Sequence, residues 1–230
     1  MRRLLLCALA GAASLAGTAG WGQSVNVDLD AFFGPRSLGT GVPQASYGAG
    51  ASQAGVWNQV YAAERRTIPL LDVSGRWTGA TYSAWGGIGS GGGWRNPRLD
   101  FGIVNDDFWL LMGDAADIFP PFAPHQIMPP DPLIIYTFDG LQVGVYDVFT
   151  YGVIPAQPPR TAPVYVSVPG AITQNPQVCT GPMPLDWQFR PGVTHTRHRI
   201  ALAGGRLEIH VTRDPERLAL INGFQIVKVK

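Results

Sequence analysis

The sequence predicts an all-β protein, an antiparallel jelly-roll β-sandwich with one short helix and long Gly/Pro-rich loops. Four observations point there. Glycine and proline number 29 and 20 among 230 residues, roughly 21% together against about 12% in average usage. Charged residues make up only 14%, against a usual value of about 25%, and this excludes a coiled coil or long helical bundle. Hydrophobic residues make up 46%, which also removes the chain from the disordered class. Finally, many short runs alternate polar and apolar residues, whereas a convincing helical spacing occurs once.

In chain order, residues 1–22 read as a secretory signal peptide. Arg2 and Arg3 precede an almost wholly apolar run from Leu4 to Leu15, and Gly17-Thr18-Ala19-Gly20 supplies small residues before a cleavage expected near 19–22. The rival reading is a membrane anchor, but the run is too short to span a bilayer comfortably. Residues 23–230 then form one domain, long enough to bury a core without staples. Residues 24–29 alternate as a half-buried strand, and 34–55 form a loop. Residues 56–63 suit one or two helical turns. Residues 67–72 and 77–85 form a hairpin around Val73-Ser74-Gly75-Arg76. Seven of the eight residues from Gly86 to Gly93 are Gly or Ser, a flexible loop. Residues 105–118 carry the helical pattern, with Phe108, Leu111 and Met112 on one side and Pro120-Pro121 as the stop.

Six prolines stiffen residues 120–132. Residues 133–138 and 143–151 read as a second hairpin, turned by Asp139-Gly140. Residues 161–168 alternate again, and 169–193 form a long loop. Residues 194–202 and 206–212 form a third hairpin about Ala203-Gly204-Gly205. The last strand, 218–229, is interrupted at Asn222-Gly223.

The search for chemistry is mostly negative. Without the leader, 15 basic residues face 16 acidic ones and the only lysines are Lys228 and Lys230. No basic patch exists for a phosphate backbone, which excludes nucleic acid as a partner. Cys179 is then the only cysteine, read as a small buried residue before a nucleophile. No G-x-S-x-G elbow, dinucleotide fingerprint, P-loop or H-E-x-x-H motif is present. His195 and His198 are three apart on a strand and face opposite sides. His210, placed on the partner strand of their hairpin, is within reach of one of them. Asp106-Asp107 and Asp114-Asp117 are the acidic pairs a hydrolase would need, but a helix start uses such residues more often. Asp28 and Asp30 share a strand face. With loop carbonyls they could form a structural calcium site, and the competing reading is a solvated face.

The candidate binding residues are Tyr82, Trp85, Trp94, Arg95 and Asn96, around the Gly86–Gly93 loop. Aromatic faces stack on the apolar face of a sugar, and Arg and Asn read hydroxyls. The competing reading makes the tryptophans core plugs at strand ends. Trp57 and Trp109 lie in patterned segments and read as core.

Two segments carry a family resemblance. One is Phe138-Asp139-Gly140-Leu141-Gln142-Val143-Gly144-Val145-Tyr146-Asp147-Val148. The other is Leu218-Ala219-Leu220-Ile221-Asn222-Gly223-Phe224-Gln225-Ile226-Val227. They resemble strands of galactose-binding-like jelly-roll modules of secreted bacterial proteins. Residues 24–29 are similar to the opening strand of those modules, and Tyr47-Gly48 with Gly55-Val56-Trp57-Asn58 to their early loop. The resemblance implies a secreted, non-catalytic module whose partner is a neutral polysaccharide or surface glycan. The alternatives are a structural or adhesive surface protein without a small ligand, and a polysaccharide-acting enzyme. Independently of the family, Leu141 should tuck under the turn and Gly144 supply an unusual backbone angle. Tyr146 should bond back to the turn as a tyrosine corner. A fibronectin-type sandwich has such a corner too, but only two strands follow it there, whereas about four follow it here.

Overall fold

The computed structural model describes residues 23–30, 41–61, 66–86, 88–89, 106–112, 116–118, 133–152, 163–181, 184, 186–213 and 219–229. The fold is an all-β sandwich of two main sheets. The first part of the chain supplies β1 (Val25–Asp30), β2 (Trp57–Tyr61), β3 (Ile68–Leu71), β4 (Trp77–Gly86) and the short β5 (Ile88–Gly89). A helix, α1 (Asp106–Met112), precedes β6 (Ala116–Ile118). Then come β7 (Ile134–Asp139), β8 (Gly144–Tyr151), β9 (Val164–Ser167) and β10 (Gln177–Cys179). The chain finishes with β11 (His195–Leu202), β12 (Leu207–Arg213), β13 (Ala219–Ile221) and β14 (Gly223–Lys228).

One sheet has the order β11-β8-β14-β1-β2, the other β10-β9-β12-β7-β4-β3, and β13-β6-β5 form a small third sheet. Among the described strands every pairing is antiparallel except that of β1 with β2. Period-two alternation builds the core directly. Ile134, Tyr136 and Phe138 of β7 and Leu207, Ile209 and Val211 of β12 point inward from one sheet. Val25, Val27 and Leu29 of β1, Tyr146 and Val148 of β8, and Phe224 and Ile226 of β14 meet them from the other.

The expected tyrosine corner is present. Leu141 is buried beneath the turn, Gly140 has φ 78° and Gly144 φ 158°. The Tyr146 hydroxyl donates to the Gln142 carbonyl at 2.8 Å. The 67–85 hairpin is also present as β3 and β4.

Four expectations are corrected. Residues 133–151 and 194–212 are not hairpins. β7 pairs with β4 and β12, whereas β8 pairs with β11 and β14. Likewise β12 pairs with β7 and β9, away from β11. Each turn instead carries the chain from one sheet to the other, the connection a jelly roll uses. The physical reason is that both strands of each pair bury an inner face, apolar apart from Thr150, Thr196 and His198, and the two faces meet across the core rather than side by side. Residues 57–61 form a strand where helical turns were expected, because Trp57 and Val60 find burial against neighbouring layers. The helix ends at Met112, six residues early, and 116–118 become β6. The loop 169–193 contains β10.

A second apolar cluster covers the outer face of the five-stranded sheet. Phe108, Leu111 and Met112 of α1 pack there with Trp57, Phe149 and Tyr151, joined by Tyr47, Trp187 and Phe189 from loops. Beneath the 47–53 loop the Gln225 side chain accepts from the Tyr151 hydroxyl and donates to Asn26 at 2.9 Å. Gln53 donates to the same Asn26 oxygen at 2.8 Å. The burial of these amides is thus matched by mutual hydrogen bonds, as interior polar groups require.

Both edges of the sandwich are closed by amide side chains. Gln177 of β10 donates to the Arg197 carbonyl at 2.6 Å and accepts from the Arg197 N–H at 3.0 Å. At the opposite edge Asn58 of β2 donates to the Leu71 carbonyl at 2.9 Å and accepts from its N–H at 2.8 Å. Each amide does what a neighbouring strand would do, and an exposed strand edge is thereby satisfied within the molecule.

Candidate functional site

Alternation along β4 decides which candidate residues reach solvent. Tyr82 and Trp85 are three apart, so they face opposite sides of the sheet. Trp85 stands out from the sheet and is 67% exposed. Tyr82 is fully buried, packed against Tyr136 and Phe138 with ring centroids at 6.3 and 5.5 Å. Its proposed part in a binding surface is therefore corrected: Tyr82 is a core residue. The same parity argument that separates His195 from His198 separates these two and was available in the sequence. Trp94, Arg95 and Asn96 lie outside the described residues.

Around Trp85 the register lays out an open face on the six-stranded sheet. Trp85 is opposite Ile135, Ile135 opposite His210, and His210 opposite Ser167. The next row holds Ser83, Thr137 and Glu208. On the other side Thr212 is opposite Tyr165, which is 42% exposed. The ring of His210 and the carboxylate of Glu208 approach to 3.1 Å. Arg206 grips Asp139 with two bonds of 2.7 and 3.0 Å at the margin, beside Thr81. Trp85 on β4 and Tyr165 on β9 stand three strand spacings apart, about 14 Å across the sheet, and are offset by two residues along it. The face thus has an aromatic at each side and hydroxyls, an imidazole and a carboxylate between. Sequence reading missed Tyr165 and Glu208, and set His210 beside the other histidines instead. The alternating pattern marked their outward direction, but only the sheet order shows that they share a face with Trp85.

His210 is in a different sheet from His195 and His198, so the expected cross-ladder meeting does not occur. Both other histidines are buried. His195 packs on Phe149 and Tyr151 at 5.6 and 5.7 Å. Burial, reinforced by Arg197, lowers its pKa to about 4. Burial likewise lowers that of His198 to about 4. Cys179 is buried, with its thiol pushed up to about 12 by loss of solvent. A thiol held protonated in this way is a poor nucleophile. Asp28 is fully buried rather than on a solvated face. Among the described residues no three His, Cys, Asp or Glu side chains gather to hold a metal ion. Asp107 accepts from the Gln44 N–H at 2.8 Å and so ties α1 to the 44–53 loop.

Asp147, on the outer face of the five-stranded sheet, receives Arg199 at 2.7 and 2.8 Å and Arg197 at 2.7 Å. The Arg199 hydrogen bonds, followed by those of Arg197, hold its carboxyl below the usual range. Both guanidinium groups are thus engaged, and Arg197 also lies over the Phe149 ring at 5.5 Å.

The described residues define an all-β sandwich domain with an open, aromatic-bearing sheet face. No family model matches the chain, and no curated protein matches it in sequence. Several solved structures are similar to it. One is TmCBM61 in complex with β-1,4-galactotriose, at 12% identity and TM-score 0.33, covering 64% of this chain and 88% of that one. Another is BtGH115A, a family GH115 4-O-methyl-α-glucuronidase with specificity for decorated arabinogalactans. It shares 12% identity at TM-score 0.34 over 77% of this chain and 19% of that one. The ANXUR1 extracellular domain from Arabidopsis thaliana is similar at 10% identity and TM-score 0.41, over 90% of this chain and 54% of that one. No helix among the described residues is long and apolar enough to cross a membrane.

Proposed function

We propose that the chain is a secreted, non-catalytic domain that binds a neutral glycan on the open face of its six-stranded sheet, with Trp85 as the stacking platform. The observation that carries this reading is Trp85 itself. A large indole standing 67% exposed within a regular strand gains little from the fold, and its flat face suits the apolar side of a sugar ring. Ser83, Thr137, Glu208 and His210 supply donors and acceptors beside it. The formal charge near zero favours a neutral polymer over a charged one. Export is supported by Arg2-Arg3 and the apolar run behind them.

The test is retention of the protein on a panel of insoluble and immobilised neutral polysaccharides. Trp85→Ala should cut affinity ten-fold or more, a loss of about 1.4 kcal/mol, while the thermal midpoint stays within a degree or two of the parent. Equal retention of parent and variant would refute the site. Trp94→Ala, measured alongside, reports whether the site continues into the 86–96 loop. A second reading draws on Trp77, Val143 and Ile172, exposed by 71, 67 and 67%. They suit an adhesive surface protein without a small ligand, and failure to bind any glycan would select it.

A further inference from the structure

Where β10 and β11 close the sandwich, a group of polar side chains sits inside the core and plays no part in the glycan face. Thr150 of β8 and Thr196 of β11 are direct register partners, and both are buried. Among the described residues neither hydroxyl has a hydrogen-bond partner, the other hydroxyl included. His198 follows two residues along β11 on the same side, fully buried. The Val166 backbone across the core attracts one ring N–H, at a geometry short of a full hydrogen bond, and the other ring nitrogen has no partner among the described residues. Cys179 closes the group from the other sheet, its thiol donating weakly to the Thr150 carbonyl at 3.8 Å.

Interior hydroxyls and imidazoles are almost always bonded. Leaving these side chains dry and unpaired together would consume a large share of the margin by which a domain is folded. Cys179 and His198 are both metal-ligand types, but among the described residues no third such side chain joins them. The groups present suit a smaller guest. Two hydroxyls can each give and accept, and a neutral imidazole offers one donor and one acceptor. Cross-strand partners have Cβ atoms about 5 Å apart, a separation that one molecule between them can bridge. We propose that Thr150, Thr196 and His198 line an internal hydration site, in which ordered water bridges the two hydroxyls and the imidazole. Burial keeps His198 neutral, which leaves one nitrogen free to accept from that water. A site of this kind needs two to four polar partners around each molecule, and the cluster provides them.

The experiment uses the full chain with Thr150→Val, Thr196→Val and the double variant, each nearly isosteric, compared by urea denaturation. Each single change should lower the midpoint, because it removes an anchor from the bridging water. The double variant should lose less than the sum, since the second hydroxyl has nothing left to bond. A rise in midpoint with either single change would overturn the proposal, because dry, unpaired hydroxyls are improved by removal. Strictly additive losses would overturn it too, because they assign each hydroxyl its own separate partner. Should a variant fail to fold, high-resolution diffraction from the parent decides. Density within hydrogen-bonding distance of at least two of the three side chains is expected. An empty site, or hydroxyls turned onto backbone carbonyls, refutes it.

Discussion

Lowering the pH from 7 to 5 should weaken this fold through two buried histidines. His195 and His198 have pKa values near 4 in the folded state, against 6.5 for a free side chain. The unfolded chain therefore binds a proton at each position in a window where the native state does not. Unfolding is favoured as the pH falls through 6.5 toward 4, and the stabilisation is complete only above that window. Taking 4 and 6.5 as the two values, each histidine costs about 2 kcal/mol between pH 7 and 5, and the pair about 4 kcal/mol. That is a large share of the roughly 5–15 kcal/mol typical of a domain. Asp147 acts in a separate, lower window. Its depressed carboxyl contributes fully above the ordinary carboxylate pKa and is lost only as the pH falls below it. The assay is urea unfolding followed by tryptophan fluorescence at pH 7, 6 and 5, with His195→Gln expected to remove about half of the slope. A stability that stays flat across this range would refute the reasoning. So would a His195 or His198 ring titrating near 6.5 in the folded protein by NMR.

Three further outcomes follow from the fold. Tyr146→Phe removes the bond to the Gln142 carbonyl and should cost about 1 kcal/mol in chemical denaturation. Gly55→Ala should cost about 2–4 kcal/mol or prevent folding. The glycine has φ 140°, and an added Cβ would lie 2.4 Å from the Val73 Cβ and 2.5 Å from its carbonyl oxygen. Gln177→Ala exposes the Arg197 N–H and carbonyl that the amide now covers. Concentration-dependent association should then appear in sedimentation or light scattering where the parent shows less.

The parts of this fold that were legible in the sequence are those fixed by near neighbours. The tyrosine corner is a contact between positions four apart, Gln142 and Tyr146, so a short motif contains all of it. The inward faces of β7, β12 and β14 follow from alternation. Alternation says which way a side chain points and nothing about which strand lies beside it. A turn that folds a hairpin and a turn that arches over the core therefore look alike in sequence, and Asp139-Gly140 and Ala203-Gly204-Gly205 are of the second kind. The site was legible to the same extent. Trp85 could be singled out as an exposed aromatic, and parity along β4 already opposed Tyr82. Tyr165 and Glu208 could not be placed near it, because that neighbourhood depends on the order β9-β12-β7-β4, set by contacts distant in sequence. The amides of Asn58 and Gln177 were invisible for the same reason, each partner being far along the chain or in another sheet.

Those two amides make each seam depend on a single functional group. An amide can present a donor and an acceptor at once, which is why Asn58 and Gln177 can each satisfy both halves of a peptide unit. Hydrolysis to a carboxylate keeps the acceptor and destroys the donor, and sets a negative charge against the carbonyl it used to hold. At the β11 edge the neighbouring Arg199 peptide would still be covered by Ile172 and Thr173. Conversion of either amide to a carboxylate would thus uncover one peptide unit at a seam through which a border can recruit another strand.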